Sequence, residues 1–390
     1  MTVPNNRIHS LDFIRGVAIL AMLVANVPWH VGSSMSRVQE ADLTSVTAWL
    51  IQYIFVDQRF MPLFCMLFGA SILLLNQSAP PDQKFRKYYL WRMFLLLIIG
   101  VLHAYLLWPG DILITYALCG PILLLFYRSS IKTLLIVGVT FKAVDLAFGE
   151  WPILYNNTIK YVLFSWWVDY GEAPLTAIQA YHGNYIDLLR YNAWRNQFLQ
   201  WTAMPYFRMW NALGFMLIGM AFFKSGILQG QKPREFYKKM ARIAFLVGTP
   251  LLLYGVFARI GANPTVGEYL GYTRELPLKN ITFRTGCAIL SFFVLGLLHL
   301  IYPYLAKTIK TALESVGRMA LTSYIFQSVF FLMLVHGFGL ITFDSLDHDL
   351  MFAWVIAAWT LQLLFSWFWM RNFTQGPIEA VWRRLSKLAR

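Results

Sequence analysis

Runs of about 20 apolar residues, the length a helix needs to cross a bilayer, recur through almost the whole of this 390-residue chain. They fall near 11–29, 59–76, 90–108, 110–127, 131–149, 203–223, 240–258, 282–303, 317–337 and 350–370. No soluble domain tolerates that pattern, so the expected fold class is an all-α integral membrane protein with about ten transmembrane helices. Only 13% of residues are charged against 58% hydrophobic, roughly half the charge of an average soluble domain. Residues 1–390 read as a single polytopic membrane domain.

The net charge of +14 implies no nucleic-acid partner, because the basic residues are not gathered into one patch. Their placement speaks to topology instead. Lys84 to Lys87, Lys224 to Arg242 and Arg371 to Arg390 fall on one side of the expected bilayer. Lys and Arg there outnumber those in the opposite segments by roughly three to one, which puts both termini in the cytoplasm of a bacterial inner membrane. The first run begins after Asp12 and Arg15 and lacks a small-residue cleavage site, so it is expected to stay as the first span. Residues 30–58, with an amphipathic run from Leu43 to Phe55, and 150–200, with Trp166, Trp167, Tyr181, Tyr185 and Trp194, read as interfacial segments on the outer face. Residues 371–390 read as a cytoplasmic amphipathic tail. Membrane lipids are the expected surroundings, and a homo-oligomer is compatible with the sequence.

Ionisable groups in hydrocarbon are costly and mark either function or helix pairing. Asp12 and Arg15 share a helical face, with Asn26 three turns further along it. His103 precedes the turn Trp108-Pro109-Gly110-Asp111, a tight reversal able to return Asp111 toward the imidazole. A carboxylate there would orient a general base, although Asp111 could equally cap the following helix. Lys142 and Asp145 stand three apart and should pair. Arg318, Thr322, Ser323 and Gln327 put a cation, two hydroxyls and an amide at helical spacing, fit either for a polar helix seam or for contact with an anion or carbonyl. His30 and His336 fall near the outer face. Cys65, Cys119 and Cys287 lie far apart inside apolar runs and read as core residues, so no metal is expected. GxxxxGK[ST], GxSxG, HExxH and GxGxxG motifs are missing.

Five blocks together resemble the YeiB family of bacterial membrane proteins of unknown function. They are LDFIRGVAIL (11–20), RFMPLFCMLFGA (59–70), GVLHAYLLWPGDILITYAL (100–118), GRMALTSYIFQS (317–328) and QGPIEAVWRRLS (375–386). The first two blocks, with Asn26, are also similar to the opening of a wider superfamily of transmembrane acyltransferases. That superfamily includes heparan-alpha-glucosaminide N-acetyltransferase and enzymes that O-acylate surface sugars. The resemblance implies transfer of an acyl group from a cytoplasmic acyl-CoA to a hydroxyl or amine of an unidentified acceptor at the outer face. His103 or His30 would be the base, Asp111 its orienting partner and Asn26 an oxyanion donor. Arg15 with Asp12, and Arg318 with Thr322, Ser323 and Gln327, would meet the donor. Sugar O-acylating enzymes usually carry a histidine where this chain has Asn26. A transporter or exporter of a small metabolite, its pathway lined by the same polar stripe, is the competing expectation.

Overall fold

The computed structural model describes residues 7–32, 43–77, 82–154, 173–261, 278–337, 339–343 and 348–389. Trp166, Trp167 and parts of both expected outer segments lie outside them. The described residues are helical throughout, without a strand. In order they form α1 (His9–Val31), α2 (Leu43–Phe55), α3 (Phe60–Gln77), α4 (Asp82–Leu106), α5 (Leu113–Leu123), α6 (Ile131–Leu154), α7 (Ala177–His182) and α8 (Tyr185–Phe198). A π-helical stretch, Leu199–Arg208, runs from α8 into α9 (Met209–Lys224). Then come α10 (Arg234–Gly261), α11 (Lys279–Ile301), α12 (Lys307–Arg318), α13 (Ala320–Leu332), α14 (His348–Asn372) and α15 (Pro377–Ser386).

Among the described residues, six helices are long and apolar enough to cross a membrane, coinciding with the expected spans at 11–29, 59–76, 90–108, 240–258, 282–303 and 350–370. Two bent pairs raise the number to eight if each is one span. Those at 203–223 and 317–337 differ from straight spans: α8 and α9 meet at 53°, and α12 and α13 at 83°. The first bend follows from Pro205, whose ring cannot donate to the helix ladder and whose neighbourhood is π-helical. The expected span at 110–127 contains α5, only 11 residues long, and that at 131–149 lies within α6.

The outer surface has the composition of an inner one. Leu90, Phe94, Ile98 and Leu102 on α4, Ile243, Leu246 and Phe257 on α10, and Leu361, Leu364 and Phe368 on α14 are exposed. Apolar stripes that long, on several long helices, fit a multi-pass membrane protein and no soluble one.

Without a hydrophobic drive between helices in lipid, close backbone approach does the packing. The sequence supplies glycine where it is needed. A Cβ on Gly317 would stand 1.8 Å from the Asp12 carbonyl oxygen, and one on Gly16 2.0 Å from that of Leu313, so α12 can cross α1 only at these two glycines. α1 touches α3, α12, α13 and α14 and forms the hub of the bundle.

Candidate active site

The Trp-Pro-Gly-Asp turn works as its sequence suggests. Gly110 has no Cβ because one there would lie 2.2 Å from the Trp108 ring, and the chain reverses so that α5 packs along α4. Asp111 then serves two purposes. Its Oδ2 accepts from Ile114 N at 2.7 Å, capping α5, while Oδ1 stands 2.8 Å from Nδ1 of His103. That second contact lies off the N–H direction and falls short of an aligned hydrogen bond; such alignment commonly tightens only with substrate present. Arg208, from the π-helical stretch, donates to the Asp111 carbonyl oxygen at 3.3 Å.

A third group completes the line. Ser328 Oγ of α13 lies 2.8 Å from His103 Nε2. A carboxylate facing Nδ1 favours the proton there, leaving Nε2 to accept from the Ser328 hydroxyl. All three side chains are buried, at 2% exposure for His103, 4% for Asp111 and 2% for Ser328. The Tyr324 ring packs 4.9 Å from that of His103, and its buried hydroxyl makes no full hydrogen bond among the described residues. Carboxylate, imidazole and hydroxyl therefore follow one another as in acyl-transfer triads.

His30, the other histidine singled out by the sequence, adjoins this group through aromatic rings. It stacks on Trp108 at 4.1 Å and on Phe331 at 5.5 Å. Asn26, one turn earlier on α1, is half-buried, with no hydrogen bond to the triad among the described residues.

The residues expected to meet a donor lie towards the other end of α1. Asp12 sits between Arg7 Nε at 2.6 Å and Arg15 Nη1 at 3.1 Å, and Arg15 also donates to the Gly317 carbonyl oxygen at 3.4 Å. Arg318 Nη2 donates to the Thr374 carbonyl oxygen at 2.9 Å. The Ser323 hydroxyl donates to the Val316 carbonyl oxygen at 3.5 Å. Gln327 reaches the Ile19 carbonyl oxygen at 3.0 Å and Gln362 Oε1 at 3.1 Å. Gln327 and Ser328 are adjacent, so polar groups continue along the α1–α13 seam from the Arg15 region to the triad.

Thr322 has a partner that sequence reasoning missed. Glu379 of α15 is 6% exposed and places Oε1 2.7 Å from Leu321 N and 3.1 Å from Thr322 N, and Oε2 2.5 Å from Thr322 Oγ1. The carboxylate caps α13 from another helix, where free N–H groups and the helix dipole favour negative charge. In sequence it passes for one acid in a basic tail; its only signal is its position behind Pro377 near a helix start.

The expected Lys142–Asp145 pair forms at 2.7 Å and is larger than foreseen. Lys142 also donates to Asn211 at 2.7 Å, and Arg284 forms an ion pair with the fully buried Asp145. This network ties α6, α9 and α11 together, away from the triad.

The family described as "Protein of unknown function (DUF418)" matches residues 222–389, which hold Tyr324, Ser328 and Glu379 but neither His103 nor Asp111. The chain is 29% identical over 420 aligned residues to the uncharacterized protein YxaH of Bacillus subtilis (strain 168), covering 100% of this chain and 96% of the relative. It is 28% identical to the uncharacterized protein YeiB of Escherichia coli (strain K12), covering 97% and 95% of the two. An uncharacterized 39.9 kDa protein of Bacillus acidopullulyticus is 28% identical, covering 98% and 94%. The YeiB-like character thus runs from end to end.

Proposed function

We propose that this YeiB-like chain is a membrane acyltransferase that moves an acyl group from a cytoplasmic acyl-CoA to a hydroxyl or amine at the outer face of a bacterial inner membrane. In this reading α5 and α6 complete ten crossings with each bent pair as one. Helices α2 and α7 lie along the outer interface, and both termini are cytoplasmic, in line with the side on which Lys and Arg gather.

The observation that carries the reading is the buried line Asp111–His103–Ser328. Its chemistry follows from the contacts. His103 Nε2 takes the Ser328 proton as Oγ attacks the thioester carbonyl; the C–S bond breaks, and the CoA thiolate leaves with the proton from Nε2. The acyl group is then an ester on Ser328. An acceptor hydroxyl or amine gives its proton to Nε2, attacks that ester and restores the serine hydroxyl. Asp111 holds the imidazole and balances the imidazolium in each half. The Tyr324 hydroxyl and Asn26 are the candidate donors to the oxyanion.

Detergent-purified protein incubated with acetyl-CoA and longer acyl-CoAs should release free thiol and acquire acyl label at Ser328. His103→Ala and Ser328→Ala should abolish both. Absence of thiol release with every thioester tested would remove the reading. It would also move weight to transport of a small metabolite, which the breaks at α8–α9 and α12–α13 favour, since interrupted helices often frame a transported substrate.

A further inference from the structure

A cleft of about 690 Å³ opens between the end of α3, the beginning of α4 and α15. Leu74 and Leu75 form its apolar side, while Arg92, Arg383, Arg384 and Lys387 converge on it. Neither the acyl-transfer chemistry nor the expected donor residues use this site.

Five features give it a ligand chemistry. Arg92 is 7% exposed; its guanidinium stacks over Trp382 at 4.0 Å and donates to the Tyr88 hydroxyl at 3.2 Å, yet its buried Nε has no partner among the described residues. A buried cation without an anion is costly. Among the described residues no carboxylate comes within 4.0 Å of the four cations, and Glu379, the acid of α15, is spent on α13. The walls are fixed, because Trp382 Nε1 donates to the Arg92 carbonyl oxygen at 3.1 Å and Trp91 Nε1 to that of Leu385 at 3.0 Å. Partial desolvation and the like charge of Arg92 hold the Arg383 guanidinium below its ordinary range. Finally, Val381 and Leu385 of α15, and Leu388 just beyond it, are exposed beside the cationic face, as in a helix lying on a lipid surface.

We infer that this cleft binds an anionic phosphate ester, its oxygens forked by Arg92 and Arg383 and its apolar part laid against Leu74 and Leu75. Two sources carry that chemistry: the headgroup of an anionic membrane lipid, and a soluble phosphate ester such as the nucleotide portion of coenzyme A. The inference stands independently of acyl transfer at Ser328.

The test uses the full-length detergent-purified chain. Native mass spectrometry would compare retention of phosphatidylglycerol with zwitterionic phosphatidylcholine, and calorimetric titration would use adenosine 3′,5′-bisphosphate. The expected result is saturable binding of at least one anionic probe, weakening as salt rises. It should fall at least tenfold in Arg92→Gln and in the double variant Arg383→Gln/Arg384→Gln. The double variant changes exposed side chains, so it guards against misfolding caused by Arg92→Gln. Retention of phosphatidylglycerol alone identifies a lipid, and binding of the bisphosphate alone identifies a soluble ester. Equal retention of both lipids with no bisphosphate binding, or variants that bind like the parent, would overturn the assignment. Acyl label on Ser328 reads out the other proposal separately.

Discussion

Replacing Asp111 separates its two contacts. Asp111→Asn keeps an oxygen to accept from Ile114 N, so the α5 cap persists, but it removes the charge facing His103. Asp111→Ala removes both. Losing a cap costs about 1 kcal/mol, and withdrawing the carboxylate that faces the buried imidazole at 2.8 Å, short of an aligned hydrogen bond, costs up to about 3 kcal/mol. The alanine variant should therefore lose about 1–4 kcal/mol of stability, and the asparagine variant, which keeps the cap, about 1 kcal/mol less than the alanine variant. Reversible unfolding in mixed micelles of rising SDS content measures the difference. Thiol release from acyl-CoA should behave otherwise, collapsing by at least about a hundredfold in both variants, because each lacks the carboxylate that orients the base. If the two variants were equally stable, the cap would not be what Asp111 supplies to the fold. If Asp111→Asn kept near-parental thiol release, the triad would be refuted as the seat of chemistry even with its geometry intact.

Three further outcomes are open to the same unfolding assay. Gly317→Ala must push α12 away from the Asp12 carbonyl oxygen, costing about 1–3 kcal/mol; Gly16→Ala should add less than its own separate cost, since one displacement admits both methyl groups, and full additivity would contradict a shared crossing. Arg284→Met leaves buried Asp145 with Lys142 alone and should cost about 3–5 kcal/mol; a loss under about 1 kcal/mol would mean that Lys142 suffices. Glu379→Ala strands the N–H groups of Leu321 and Thr322 and should cost about 3 kcal/mol, with Glu379→Gln near 1 kcal/mol; equal losses would show that the charge, more than the hydrogen bonds, makes the cap.

What could be read along the chain was local. The apolar runs predict the six long helices, Leu43–Phe55 is a helix over those same residues, and Lys142 meets Asp145 because i and i+3 share a face. His103 and Asp111 were legible for the same reason, being joined by one turn. Ser328 was not: it is 225 residues from His103, and a hydroxyl beside Gln327 reads equally as a helix seam. Arg15 and Arg318 show the converse limit. Their type suits anions, yet in the fold they also reach the carbonyl oxygens of Gly317 and Thr374, which no spacing rule announces. The sharp bend after Arg318 was hidden because Gly317 to Gln327 has continuous helical periodicity; what sets the angle is contact with α1 and α15, both remote in sequence.

The carboxylate that completes the start of α13 comes from α15, a helix made later in the chain. During synthesis α13 is made before the glutamate that caps it, because the chain grows from its N-terminus and the two are 58 residues apart. The first amide groups of the helix carrying Ser328 therefore stay uncapped until residue 379 has been added and α15 has packed against them. A chain cut between α14 and α15 would keep, among the described residues, every helix long and apolar enough to cross a membrane yet never finish this junction, so insertion and completion of the fold are separable events.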